Sequence, residues 1–105
     1  MLVNRRSLVE VLRMRFEQLT NVKIYHALDH PKRREILALI LEKPKSPATD
    51  IKKTLGLSDG NFNYHITVLI DAQLVINEWK RPLNKGATYS NYEPTDIAKQ
   101  LAEES

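Results

Sequence analysis

A mainly α fold with a small β-hairpin is what this 105-residue sequence predicts, on three observations. First, residues 46–72 read as two short helices joined by a tight turn. Ser46 and Pro47 suit a helix start, because the first helical N–H groups have no internal partner for proline's missing donor to forfeit. Ile51 and Leu55 sit one turn apart, Gly56 supplies the left-handed residue that stops the helix, and Leu57 fills the corner. Ser58 caps the second helix, with Asp59 against its positive end. Second, Phe62, Ile66, Leu69 and Ile70 follow the helical period and should face a core, while Asn61, Asn63, Tyr64, Thr67 and Asp71 fall mostly on the other side. Third, residues 74–94 read as a hairpin: Leu74, Ile76 and Glu78 alternate with Val75, Asn77 and Trp79, Arg81 to Gly86 form the loop, and residues 87–94 return. A helix with an apolar core face and a neutral, hydrogen-bonding outer face suits a DNA groove. The expected architecture is therefore a winged helix-turn-helix with N- and C-terminal dimerisation helices.

The flanking segments follow the same logic. Residues 4–19 form a helix with Leu8, Leu12, Phe16 and Leu19 along one stripe, widened by Val9 and Val11 beyond what a solvated arm needs. Such a helix, spanning residues 1–20 with its ends, suits pairing with a second copy; the alternative is packing on its own domain. Asn21 caps a further short helix carrying Ile24, Tyr25 and Leu28, which ends before Pro31. Pro31 opens the next helix, whose Ile36, Leu37, Leu39, Ile40 and Leu41 cover most of its circumference and make it the central core helix. Over residues 95–105, Thr95 and Asp96 start a last helix with Ile97 and Leu101 one turn apart. The whole chain reads as one domain.

Composition narrows the function. There is no cysteine, which excludes disulfides, thiolate metal sites and cysteine nucleophiles. No apolar run approaches the roughly 20 residues of a membrane span, and the charged N-terminus is unlike a signal peptide, so a cytoplasmic, membrane-free location is expected. The net charge of +3 leans only mildly toward polyanions. No phosphate-binding loop or nucleophile elbow is present and the carboxylates are scattered, so no catalytic residue and no cofactor is expected. His26, Asp29 and His30 form the one metal-like cluster, but Pro31 ends the helix there and no second cluster completes a tetrahedral set; no metal is expected.

The expected DNA-binding residues are Ser58, Gly60, Asn61, Asn63, Tyr64, His65 and Thr67 on the second helix, Lys52 and Lys53 on the first, and Lys80, Arg81 and Lys85 in the wing. Asparagine both donates and accepts, so it can pair bidentately with adenine, and the threonine methyl can touch that of thymine. Gly60 permits close approach of a phosphate backbone, and a helix N-terminus favours phosphate. The first helix of such a motif crosses the backbone, which suits Lys52 and Lys53, and a basic hairpin can reach the flanking groove. Asp59 opposes this, because it repels phosphate. The bland alternative is a solvated polar face beside an ordinary hairpin.

Three motifs in order resemble the ArsR-type winged-helix regulators of archaea and bacteria. Ala27 to Leu37 (ALDHPKRREIL) is similar to the family's AL-x-x-P-x-R-x-x-I-L segment. Leu55 to Leu69 (LGLSDGNFNYHITVL) resembles its recognition unit, and Tyr92 to Thr95 (YEPT) its wing exit. The resemblance implies a capping or structural role for Arg34 as readily as a phosphate contact. The chain departs from the pattern at Gln73, where relatives commonly carry glycine, at Pro94, where an aliphatic is usual, and in lacking the cysteine motif, so metal sensing does not carry over. Nor does the recognition helix offer the exposed Arg or Lys often found there.

Two functions are compatible with these residues. One is a homodimeric transcription regulator, joined through Leu8, Leu12, Phe16, Leu19, Ile97 and Leu101, with helix 58–72 in the major groove of double-stranded DNA and wing 80–87 on the flanking backbone or minor groove. The other is a winged-helix protein-interaction module without DNA binding. A small-molecule effector is compatible with the first, and the sequence names none.

Overall fold

A computed structural model describes residues 5–80 and 89–104, with the side chains of residues 9–12, 19–78 and 91–104. The elements are α1 (Arg5–Leu28), α2 (Pro31–Glu42), β1 (Ser46–Pro47), α3 (Ala48–Leu55), α4 (Asp59–Asp71), β2 (Val75–Lys80), β3 (Tyr89–Pro94) and α5 (Asp96–Glu104). The fold is that of a winged helix-turn-helix: α3 and α4 form the motif, and a three-stranded antiparallel sheet in the order β1-β3-β2 forms the wing.

Two expected element boundaries are corrected by this structure. The N-terminal segment is one helix of 24 residues, where the sequence suggested a break at Asn21. Neither Gly nor Pro interrupts it, and an asparagine without such a breaker is tolerated inside a helix. Ser46 and Pro47 are also not the first residues of a helix. They form β1, pairing with Tyr92 and Asn91 of β3, and the helix begins at Ala48. Ser46 is nevertheless satisfied locally, its Oγ donating to the Lys43 carbonyl.

The core is built where the helical and strand periods converge. Ile36 and Ile40 of α2, Ile51 of α3, Phe62 and Leu69 of α4, and Leu74 and Val75 at the head of β2 are the largest fully buried side chains. The Phe62 ring meets Tyr92 of β3 edge-on at 5.6 Å, tying α4 to the sheet. Ile70, expected in this core, is 36% exposed, because Leu69 takes the inward position and its neighbour is rotated about 100° round the helix. Ala98 is buried, and Ile97 and Leu101 are partly buried against the same core. Much of the surface of these two dimerisation candidates is thus already used within the chain.

The recognition helix ends in a Schellman arrangement. Gln73 N–H donates to the Ile70 carbonyl and Leu74 N–H to the Leu69 carbonyl, which places Gln73 at φ +62°. Glutamine there costs roughly 1 kcal/mol relative to glycine. Thr95 offsets part of that cost: its Oγ1 donates to the Gln73 carbonyl at 2.7 Å and accepts from Ala98 N–H at 3.2 Å. One hydroxyl therefore caps α5 and pins the end of α4. Lys23 and Asp71, 3.3 Å apart, add an exposed ion pair between α1 and α4. Among the described residues, no helix is long and apolar enough to cross a membrane.

Candidate nucleic-acid interface

Two caps fix the turn that presents α4. Gly56, at φ +64°, closes α3, and both it and Leu57 donate N–H groups to the Lys52 carbonyl. Ser58 opens α4, its side chain accepting from Asn61 N–H at 3.2 Å. Asn61, Asn63, Tyr64 and Thr67 are exposed on the helix beyond it, as is Lys53 on α3. A Cβ added to Gly60 would meet nothing within 4 Å, so packing within the chain does not require glycine there. Beyond Asp59 at its start, this exposed face is thus neutral and rich in hydrogen-bonding groups, with Tyr64 60% exposed as its one large aromatic.

His65 does not belong to that face. It is buried, its ring centroid 4.5 Å from that of His30 and 5.4 Å from that of Tyr64. Its Nδ1 lies 3.3 Å from Arg33 Nη1, and a guanidinium can only donate, so the imidazole is neutral with its proton on Nε2. Position 65 lies three residues after Phe62 and beside Ile66, on the edge of the core stripe rather than opposite it.

Arg33 is the residue that sequence reasoning missed. It is 5% exposed, with Nε donating to the Ala27 carbonyl at 2.7 Å and Nη2 to the His26 carbonyl at 3.2 Å. Arg34 donates to the Leu28 carbonyl at 2.7 Å. The two arginines cap the C-terminal end of α1, where free carbonyls and the negative end of the helix dipole favour cations. Arg33 also reaches toward Tyr64, its Cζ lying 6.0 Å from the ring centroid. A buried guanidinium thus links α1, α2 and the recognition helix. His30 completes the junction by capping α2, its Nδ1 accepting from Lys32 N–H at 3.1 Å.

Burial lowers the pKa of His65 below its ordinary 6.5, with the His30 and Arg33 charges adding to the effect. The unfolded chain takes up a proton near pH 6.5 that the folded chain still refuses, so stability is full above that pH and is lost as pH falls through the lower folded value. Thermal unfolding followed from about pH 7.5 to 5.5 is expected to show Tm dropping below the ordinary histidine value, and His65→Gln, which keeps an acceptor for Arg33 but does not titrate, should flatten that drop. An undiminished drop in the variant would assign the dependence to other groups.

Lys52 is not free as expected. Its Nζ lies 2.8 Å from Asp59 Oδ1, and the lysine hydrogen bond and charge hold the Asp59 carboxyl below the usual range. Of the expected wing residues, Arg81 and Lys85 lie outside the described residues, as does the Lys80 side chain. Among the described residues, no group of three or more His, Cys, Asp or Glu side chains could hold a metal.

Comparison with known proteins agrees with this architecture. The family model described as a helix-turn-helix domain matches residues 28–77, from the end of α1 into β2. The chain is similar to a transcriptional regulator homologue protein from Pyrococcus horikoshii OT3, at 30% identity over 84% of this chain and 85% of that one, with a TM-score of 0.67. It shares its fold with a structure of MarR, at 11% identity over 96% of this chain and 72% of that one and a TM-score of 0.61. It also shares it with the MarR protein from Peptoclostridium difficile DA00132, at 19% identity over 99% and 72% of the two chains and a TM-score of 0.55. No curated sequence matches significantly.

Proposed function

Since the chain belongs to the helix-turn-helix transcription regulators, whose members bind DNA and are generally not enzymes, we propose that it acts as a homodimer. In this reading one α4 enters each of two successive major grooves, with the wing on the flanking backbone or minor groove. The observation that carries the reading is the α4 surface itself: Asn61, Asn63, Tyr64 and Thr67 exposed, with open space outside Gly60. A helical glycine costs about 1 kcal/mol against alanine, and close approach of a DNA backbone gives that cost a use. The Ala27–Leu37, Leu55–Leu69 and Tyr92–Thr95 motifs support an ArsR-like regulator within the wider family, without the cysteines of metal sensing.

Dimerisation is supported by α1. Val9, Leu12, Leu19 and Val22 are each more than half exposed along it, and apolar side chains so exposed on one helix favour a partner surface, while the Leu8 and Phe16 side chains lie outside the described residues. The segments assigned are residues 1–20 for pairing, continued by the rest of α1, 46–72 for the motif, 74–94 for the wing and 95–105 for the last helix. Lys53 and the basic wing residues supply phosphate contacts, which give affinity, while the α4 side chains give sequence preference.

Replacing Lys80, Arg81 and Lys85 together with alanine is expected to weaken binding to every duplex and to reduce the slope of log affinity against log salt by about 0.9 for each phosphate that is no longer neutralised. An unchanged slope would remove the wing from the interface.

A further inference from the structure

We infer that Asp59 is an internal phosphate surrogate: it occupies Lys52 and the first turn of α4, and so lowers the affinity of this protein for DNA backbone irrespective of sequence. The inference rests on the DNA-binding reading above.

Three observations carry it. Asp59 is the first residue of α4, and its side chain is 85% exposed on the side of the helix-turn-helix expected to meet DNA. Its Oδ1 lies 2.8 Å from Lys52 Nζ, bridging α3 and α4 across the turn, while the lysine side chain is only 25% exposed. Lys52 is thus drawn in toward the carboxylate, whereas its neighbour Lys53 is exposed and has no ion pair among the described residues. Finally, Asp59 is not needed to cap the helix, because Ser58 already accepts from Asn61 N–H. A carboxylate at a helix start, ion-paired to a lysine, has the charge and the oxygen acceptors with which a phosphodiester would engage the same two partners. To bind them, a phosphate must displace Asp59 and tolerate its charge nearby.

The test is a cycle of Asp59→Asn, Lys52→Ala and the double variant in the full chain. Each would be titrated by fluorescence anisotropy against labelled mixed-sequence duplex, with circular dichroism to check folding. Asp59→Asn is expected to tighten binding and steepen the log–log salt slope by about 0.9, so that its advantage shrinks about 3.5-fold between roughly 50 and 200 mM salt. Lys52→Ala alone should leave the slope nearly unchanged, and in the double variant the steepening should vanish. A slope unmoved by Asp59→Asn, or steepened equally without Lys52, would overturn the inference and leave Asp59 as a strut or a source of general repulsion. Failure of the DNA-binding reading looks different: all four proteins would be silent at every salt concentration. A silent wild type with a binding Asp59→Asn variant would support the surrogate.

Discussion

Replacing Leu12 and Leu19 together with glutamate is expected to convert the protein to a folded monomer and to weaken binding to a two-half-site operator by on the order of 100-fold. The two side chains are 58% and 63% exposed, so they contribute little to the fold of one chain, and charging them should leave its helical circular dichroism intact. Against a second copy the same change places four carboxylates in an apolar seam, where unpaired charge is strongly disfavoured. Two linked recognition helices bind with an effective concentration that two separate chains lack, and the affinity loss follows from that. Sedimentation equilibrium checks the mass, and anisotropy the binding. A variant that stays dimeric would move the seam elsewhere, with the groove between α2 and α5 the next surface to charge, at its exposed Ala38 and Ala102.

The second large effect is expected at Arg33. Arg33→Met keeps the length and much of the volume of the side chain but withdraws every donor it offers to the His26 and Ala27 carbonyls and to His65 Nδ1. A buried acceptor left without a partner costs about 1–3 kcal/mol. Since the His26 side of the cluster is partly open to water, a loss of roughly 3 kcal/mol is expected in total. That is a large share of the ~5–15 kcal/mol that stabilises an ordinary domain. Urea unfolding would show it as a fall in midpoint with unchanged slope. Arg33→Lys should recover little, because an ammonium cannot hold the planar fork that serves three acceptors at once. A loss below about 1 kcal/mol would mean that water replaces the guanidinium.

These residues also show what the sequence could and could not reveal. The helix-turn-helix was legible because its signals are local: Gly56 and Ser58 punctuate the turn, and Phe62, Ile66 and Leu69 repeat with the helical period, all within one stretch of chain. Gln73 stood out only against the family pattern, so its left-handed backbone, fixed by hydrogen bonds to Leu69 and Ile70, was legible by resemblance and not from the residues alone. Features made by long-range pairing were not. Ser46 and Pro47 become a strand only because β3 arrives beside them, and two residues are too few to show an alternation. His65 looked like an outer-face polar residue; it is buried because Arg33, thirty-two positions earlier, supplies the donor that makes a core imidazole tolerable. The Lys52–Asp59 pair spans seven residues and a turn; Lys52 alone read as a phosphate contact and Asp59 as a charge at the helix start that repels phosphate, and neither reading shows that the two pair.

Whether this protein holds DNA through its α4 face and flanking cations is decided by fluorescence anisotropy of a labelled mixed-sequence duplex, titrated with the wild-type protein from low to physiological salt. Saturable binding is expected, its log affinity falling linearly with log salt, with a slope equivalent to several phosphate contacts at about 0.9 each. Absence of binding even at the lowest salt, by the wild type and by Asp59→Asn alike, would contradict DNA recognition, and the exposed α4 face would then belong to a protein partner.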